Sequence, residues 1–233
     1  MTTVFNGSGA GRVAIVTGGS RGAGLATICR LAASGFAVVV NYLHDQRSAE
    51  AAVESILADS GDAVAVRADV ADDLDVTRLV AESMAAFGGI DVVVHAAGGG
   101  QAAAAPATGI DRAEFDELMR AGARAAFVVN REAARHVRDH GAIVNLSSSA
   151  EGSSRPAHGL SVATEAITDV LTRTLAVELR ERNITVNAVS LDVGRPCVPE
   201  RIADVVAYLL SDRGRRLTGR VLRVGDPGAS ASG

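Results

Sequence analysis

Thr17-Gly18-Gly19-Ser20-Arg21-Gly22-Ala23-Gly24 stands directly after an apolar, β-branched run at 13–16 and directly before an Ala-rich stretch of helical spacing at 23–34. Glycines in such a turn let the backbone approach a pyrophosphate, which then rests on the N–H groups and positive end of the following helix. Glycines alone are equally compatible with a tight turn that binds nothing. A strand before and a helix after, in a βαβ unit, favour the phosphate reading.

Outward from this loop, short apolar runs recur at 37–40, 64–66, 92–94, 143–146, 185–189 and 221–224. Helical patterns lie between them at 48–57, 75–87, 163–182 and 199–210. Alternation of this kind predicts an α/β fold, a Rossmann-type doubly wound parallel sheet whose continuously apolar strands are buried on both faces. One domain is expected over 12–226, between flexible ends at 1–11 and 227–233 that are rich in Gly, Ser and Thr. The Ala-rich run 98–106 after the fourth strand reads as a loop at the ligand-binding edge.

With 233 residues, 48% of them hydrophobic and 21% charged, the chain suffices for one sizeable core. Its longest apolar runs are far too short to span a bilayer, and no basic segment followed by an apolar one opens it. A soluble, cytoplasmic protein with no membrane partner is expected. The formal net charge is −4 and no segment concentrates arginine among aromatics, which argues against nucleic acid as a partner. Cys29 and Cys197 lack the number and spacing of a disulfide framework and read as buried or incidental thiols. His136 and His140 are four apart on a stretch read as helical, but no further ligand is apparent, and no metal is expected. Lysine is absent from the whole chain, which excludes Schiff-base chemistry and any lysine-assisted proton relay.

The spelling T-G-x-x-x-G-x-G, rather than G-x-G-x-x-G, resembles the short-chain dehydrogenase/reductase family. The resemblance continues through Asp69-Val70 after the third strand, the segment 91–98, Val144-Asn145-Leu146-Ser147-Ser148, Val186-Asn187-Ala188-Val189 and Leu217-Thr218-Gly219. It implies that Gly18, Ser20, Arg21, Gly22, Ala23 and Gly24 surround a cofactor's phosphates and ribose, that Asp69 and Val70 flank adenine, and that Ala97 and Gly98 line the same site. Asn41 stands where NAD-specific members carry an acid for the ribose hydroxyls. Together with Arg21, which can meet a 2′-phosphate or remain a solvated loop charge, it favours NADP over NAD. The resemblance further implies a homodimer or homotetramer, packed through the helix carrying Glu165 and the last strand.

At the catalytic positions the chain departs from the family. There, a serine on the fifth strand precedes a tyrosine by thirteen residues and a lysine follows four later; tyrosine exchanges the proton, lysine lowers its pKa, and serine holds the reacting oxygen. Counting from Ser148 reaches Ser161 and then Glu165. The only tyrosines, Tyr42 and Tyr208, lie elsewhere. Gly122 takes the place of a supporting asparagine, N-N-A-G reads His95-Ala96-Ala97-Gly98, and Val193-Gly194-Arg195-Pro196 runs almost at once into Pro199, leaving little of the substrate lid. A site without that lid is more open and wetter.

By the same resemblance Ser148, Glu165, Asp192, His158 and His95 map toward one cleft. The expectation drawn from them is non-redox acid–base chemistry, a cyclase, dehydratase or isomerase acting on a small carbonyl compound such as a polyketide-like intermediate, with the nicotinamide cofactor absent or without a redox role. In it Glu165 is acid or base, Ser148 orients a carbonyl, and Asp192 or His158 is the partner. Each has a plainer alternative: Glu165 solvated or paired with an arginine, Asp192 capping a turn, His158 in a loop, and Ser148 capping its strand. Two other functions stand beside it: a non-catalytic pseudoenzyme or NADP-responsive subunit, and an atypical NADP-dependent oxidoreductase drawing its proton from water, the substrate or Asp192.

Overall fold

The computed structural model describes residues 11–97, 106–149, 159–192 and 198–224. The expectations of flexible ends and of a loop at 98–106 fall almost wholly outside them. Seven strands, β1 (Val13–Thr17), β2 (Ala37–Tyr42), β3 (Ala63–Arg67), β4 (Ile90–His95), β5 (Val137–Ser149), β6 (Thr185–Asp192) and β7 (Val221–Val224), form one sheet in the order β3-β2-β1-β4-β5-β6-β7. Every neighbouring pair is parallel. The order reverses direction between β1 and β4, which opens a crevice beyond the strands' C-terminal ends.

Helices α1 (Gly22–Ala32), α2 (Gln46–Ala58) and α7 (Pro199–Leu209) cover one face. Ile28, Leu31, Ile56, Val206 and Leu209 pack there on Val38, Val40, Val92 and Val144. The other face carries α3 (Asp73–Phe87), α5 (Ala125–His136) and α6 (Gly159–Glu178), with Leu79, Val128, Val129 and Leu175 against Val39, Val93, Ile143 and Val186. A fully buried side chain of this size contributes about 1.5–3 kcal/mol, so the two-sided apolar strands explain why both layers form.

One element was not distinct in the periodicity. Helix α4 (Arg112–Leu118) runs through a π-helical segment, Met119–Arg124, directly into α5. That segment widens the helix where it passes α6. A helical stretch holding both His136 and His140 is not found: α5 ends at His136, and His140 has left-handed backbone, φ +64°, in the irregular start of β5. The two rings therefore share no helix face. Cys29 lies exposed on α1 rather than buried. Among the described residues no helix is long and apolar enough to cross a membrane.

Candidate functional site

The glycine loop closes the crevice at β1. Gly18 and Gly22 hold φ values of +62° and +54°, which side-chain-bearing residues rarely adopt. A Cβ on Gly24 would lie 2.2 Å from the carbonyl oxygen of Gly18, so the first turn of α1 rests directly on the loop and admits only glycine. Helices α2, α3 and α4 each begin with an aspartate, Asp45, Asp72 and Asp111, that accepts backbone N–H bonds of the first turn. By contrast α1 begins at Arg21 with no side-chain cap and no acid in its first turn. Its positive end is left to an anion from outside, beside a loop shaped for close approach. Gly18, Ser20, Arg21, Gly22, Ala23 and Gly24 are thus brought together around one helix terminus.

Thr17 ties this loop to β4, a role that sequence reasoning missed. Its hydroxyl accepts N–H bonds from Ala96 (3.0 Å) and Ala97 (3.2 Å), so its proton is directed to Nδ1 of His95 at 3.0 Å. His95 is 3% exposed, and burial pushes its pKa down to about 4. It stays neutral near pH 7 and is walled off from the cleft, which corrects its expected place among the acid–base groups. Ala97 sits against Gly18, where a Cβ would meet its backbone at 3.1 Å.

Asn41 also requires correction. Its side chain, in a residue 2% exposed, donates to the carbonyls of Ala68 (3.1 Å) and Val66 (3.3 Å) and accepts from the N–H of Gly18 (3.3 Å). The amide faces inward and staples the glycine turn to β3, so it has no freedom to read a ribose. What does face the rim after β2 is a basic pair. Arg21 and Arg47 are both exposed. Hydrogen bonds from Ser48, and to a lesser degree these two charges, hold the carboxyl of Asp45 below the usual range. Arg47 was missed because it lies on the next helix, six residues beyond Asn41.

At the β3 edge Asp69 is half-buried beside Val70. It accepts from Ala71 N–H at 3.0 Å and from Nη1 of Arg120 at 2.7 Å. Nothing in the sequence brings Arg120 to it; the π-helical segment does.

On the far side, β5 and α6 are joined by buried polar groups. Asn145 exchanges hydrogen bonds with Asn130 on α5 (2.8 and 3.1 Å) and donates to Thr172 at 2.9 Å. One turn nearer the crevice, Ser147 donates to Asp169 at 3.3 Å. Glu165 lies a further turn along α6, about 6 Å beyond Asp169 at 1.5 Å per residue, which carries it toward the strand ends. It is half-buried there, with Oε2 shielded from solvent. Its neighbour Thr164 packs on the π-helical segment, where a Cβ on Gly122 would lie 2.9 Å from the Thr164 Cβ. Ser148 pairs in the sheet with Leu191, and Ser149 with Asp192, which puts the backbones of Ser148 and Asp192 on adjacent strands. The side chains of Ser148 and Asp192, and His158 and Gly98 entirely, lie outside the described residues. Among those described, no three His, Cys, Asp or Glu side chains gather as a metal site would need.

A family model described as enoyl-(acyl carrier protein) reductase matches residues 18–193. Versicolorin reductase 1 of Aspergillus parasiticus is 33% identical over 255 aligned positions, covering 94% of this chain and 96% of the relative. A dehydrogenase/reductase of Sinorhizobium meliloti superposes with a TM-score of 0.87 at 36% identity, covering 93% of this chain and 94% of that one. A short-chain dehydrogenase of Burkholderia cenocepacia, solved in complex with NADP, does so at 0.86 and 30% identity, over 93% and 97% of the two chains. The chain belongs to the short-chain dehydrogenase/reductase family.

These findings overturn the expectation of a non-redox cyclase, dehydratase or isomerase, and with it that of a non-catalytic pseudoenzyme. Relatives that share nearly the whole chain are reductases by name, and the matched model is that of a reductase family. Nor do they support setting the site apart as atypical. Ser161 and Glu165 are variations within a redox family, and of the alternatives the NADP-dependent oxidoreductase agrees best with the relatives.

Proposed function

We propose that the chain is an NADP(H)-dependent oxidoreductase that interconverts a small carbonyl compound and its alcohol. The observation that carries this reading is the glycine-shaped N-terminus of α1, left without a side-chain cap and suited to an anion. The cofactor fits the residues present. Amides of the loop would hold the pyrophosphate, Arg21 and Arg47 the 2′-phosphate, and Asp69, Val70, Ala97 and Gly98 would line the remainder. The NADP complex of the Burkholderia relative supports the choice of NADP.

When bound, the cofactor supplies hydride to the carbonyl carbon. The chain must then hold the carbonyl oxygen and deliver a proton to it. Ser148 suits the first task. A serine at position 161 is far too weak an acid for the second near neutral pH, and no lysine exists to assist. We assign the proton to water held by Glu165 and Asp192, with His158 as a further partner.

The test is transfer from stereospecifically 4-deuterated NADPH to a panel of small ketones. Deuterium on the new carbinol carbon supports the reading. Tight NADPH binding with no labelled product from any ketone or from the reverse reaction overturns it. Assembly as a homodimer or homotetramer is inferred from Phe127, Val170 and Val177 on α5 and α6, which are 49%, 58% and 64% exposed. Sedimentation of Val170→Asp as a monomer, against an oligomeric parent, checks it.

A further inference from the structure

The edge of the crevice beyond β3 holds an arginine three of whose five side-chain N–H groups are taken up by carboxylates. Arg120 donates Nη1 to Asp69 at 2.7 Å, and its Nε and Nη2 meet the two oxygens of Glu117 at 2.9 and 3.0 Å. Asp69 is fixed in turn, since its backbone N–H donates to Asp75 at 2.8 Å and its other oxygen accepts from Ala71. Arg124 and Arg131, from the same helical stretch, both reach Asp73 at the start of α3. The stretch is thereby bolted to the corner between β3 and α3, with the Arg120 guanidinium held at several points.

What remains of that guanidinium is two N–H groups and its flat faces, on a side chain 39% exposed. A planar cation anchored by carboxylates can stack on a π-system without giving up those hydrogen bonds, something an ammonium cannot do. Its place fits a base rather than the reacting end of a dinucleotide. Asp69 and Val70 follow β3, on the opposite side of the switch point from β5 and β6, with the phosphate-binding loop between them.

We propose that Arg120 is a stacking platform for the adenine ring of the cofactor, with Asp69 and Glu117 as the positioning residues that hold it flat. This rests on the crevice being an NADP(H) site, and it adds a base-recognition residue that neither the glycine loop nor the basic pair at Arg21 and Arg47 supplies.

Three ligands separate the possibilities: NADPH, 2′,5′-ADP, which has the adenine but no nicotinamide, and reduced nicotinamide mononucleotide, which has no adenine. Each is titrated calorimetrically against the full chain and its Arg120→Lys and Arg120→Met variants, whose melting temperatures are recorded alongside. Both variants should bind NADPH and 2′,5′-ADP about tenfold more weakly and reduced nicotinamide mononucleotide as before. Parental affinity in Arg120→Lys would overturn the proposal, because charge without the plane would then suffice. Equal weakening toward all three ligands, with a lowered melting temperature, would overturn it in favour of a brace for the fold. A parent that binds neither NADPH nor 2′,5′-ADP would remove the cofactor reading itself and the platform with it.

Discussion

Around β1, β2 and α1 the crevice is built almost entirely from backbone. Gly24 rests on a carbonyl, Asn41 spends its amide on three strands' worth of main chain, and Thr17 draws the end of β4 inward. Around β5 and α6 the deeper polar groups are equally committed, Asn145 to Asn130 and Thr172, while the family's catalytic positions lie nearer the rim, on α6. The family's tyrosine and lysine fall among the latter, and they have become Ser161 and Glu165. A cradle shaped by backbone restricts which residues its positions accept, as Gly24 shows, whereas a helix position is restricted only by what its side chain touches.

The sharpest way to break this contrast is Asn41→Asp. If Asn41 read the ribose, the change would turn preference toward NADH. Buried as it is, the new carboxylate would face the carbonyls of Val66 and Ala68, and a loss of about 3–4 kcal/mol is expected in chemical denaturation. The rim should behave in the opposite manner. Ser161→Tyr combined with Glu165→Lys is expected to leave the melting temperature nearly unchanged while raising kcat for ketone reduction by about a hundredfold; an unaltered kcat would mean that other parts of the site have diverged as well.

His95, on the seam between the two regions, gives a pH signature. Its pKa is about 4 in the folded chain and near 6.5 when unfolded, so the unfolded state binds the extra proton first. Stability from this group is complete above pH 6.5, declines as pH falls toward 4, and levels off below. Between pH 7 and pH 4.5 the loss is about 2–3 kcal/mol, and His95→Asn should show a denaturation profile flatter by that amount. The smallest effect belongs to Arg21→Ala and Arg47→Ala, each expected to weaken NADPH about tenfold and NADH hardly at all. Equal weakening of both cofactors would reassign the pair to a general electrostatic role.

Local order was largely legible in the sequence. The seven strands follow from β-branched runs, and the doubly wound topology follows from their alternation with helices. The glycine loop was legible because its residue types are dictated by backbone geometry at a single turn. Asn41 was misread because strand position alone does not tell which way a side chain faces; burial and the two carbonyls beyond β3 decide it. Arg47, Arg120 and the pairing of Gly122 with Thr164 were invisible for another reason: each meets its neighbour across elements, and a π-helical segment shifts the register on which any helical count depends. The functional expectation failed where it took lost side chains as lost chemistry, although relatives along nearly the whole chain are reductases by name.

The contact between Gly122 and Thr164 also couples two positions on different helices. A Cβ at 122 would lie 2.9 Å from the Cβ of Thr164, so any side chain placed there must push α6 away from the π-helical segment. The space between the two helices is held in common, and neither position can be enlarged unless the other element gives way.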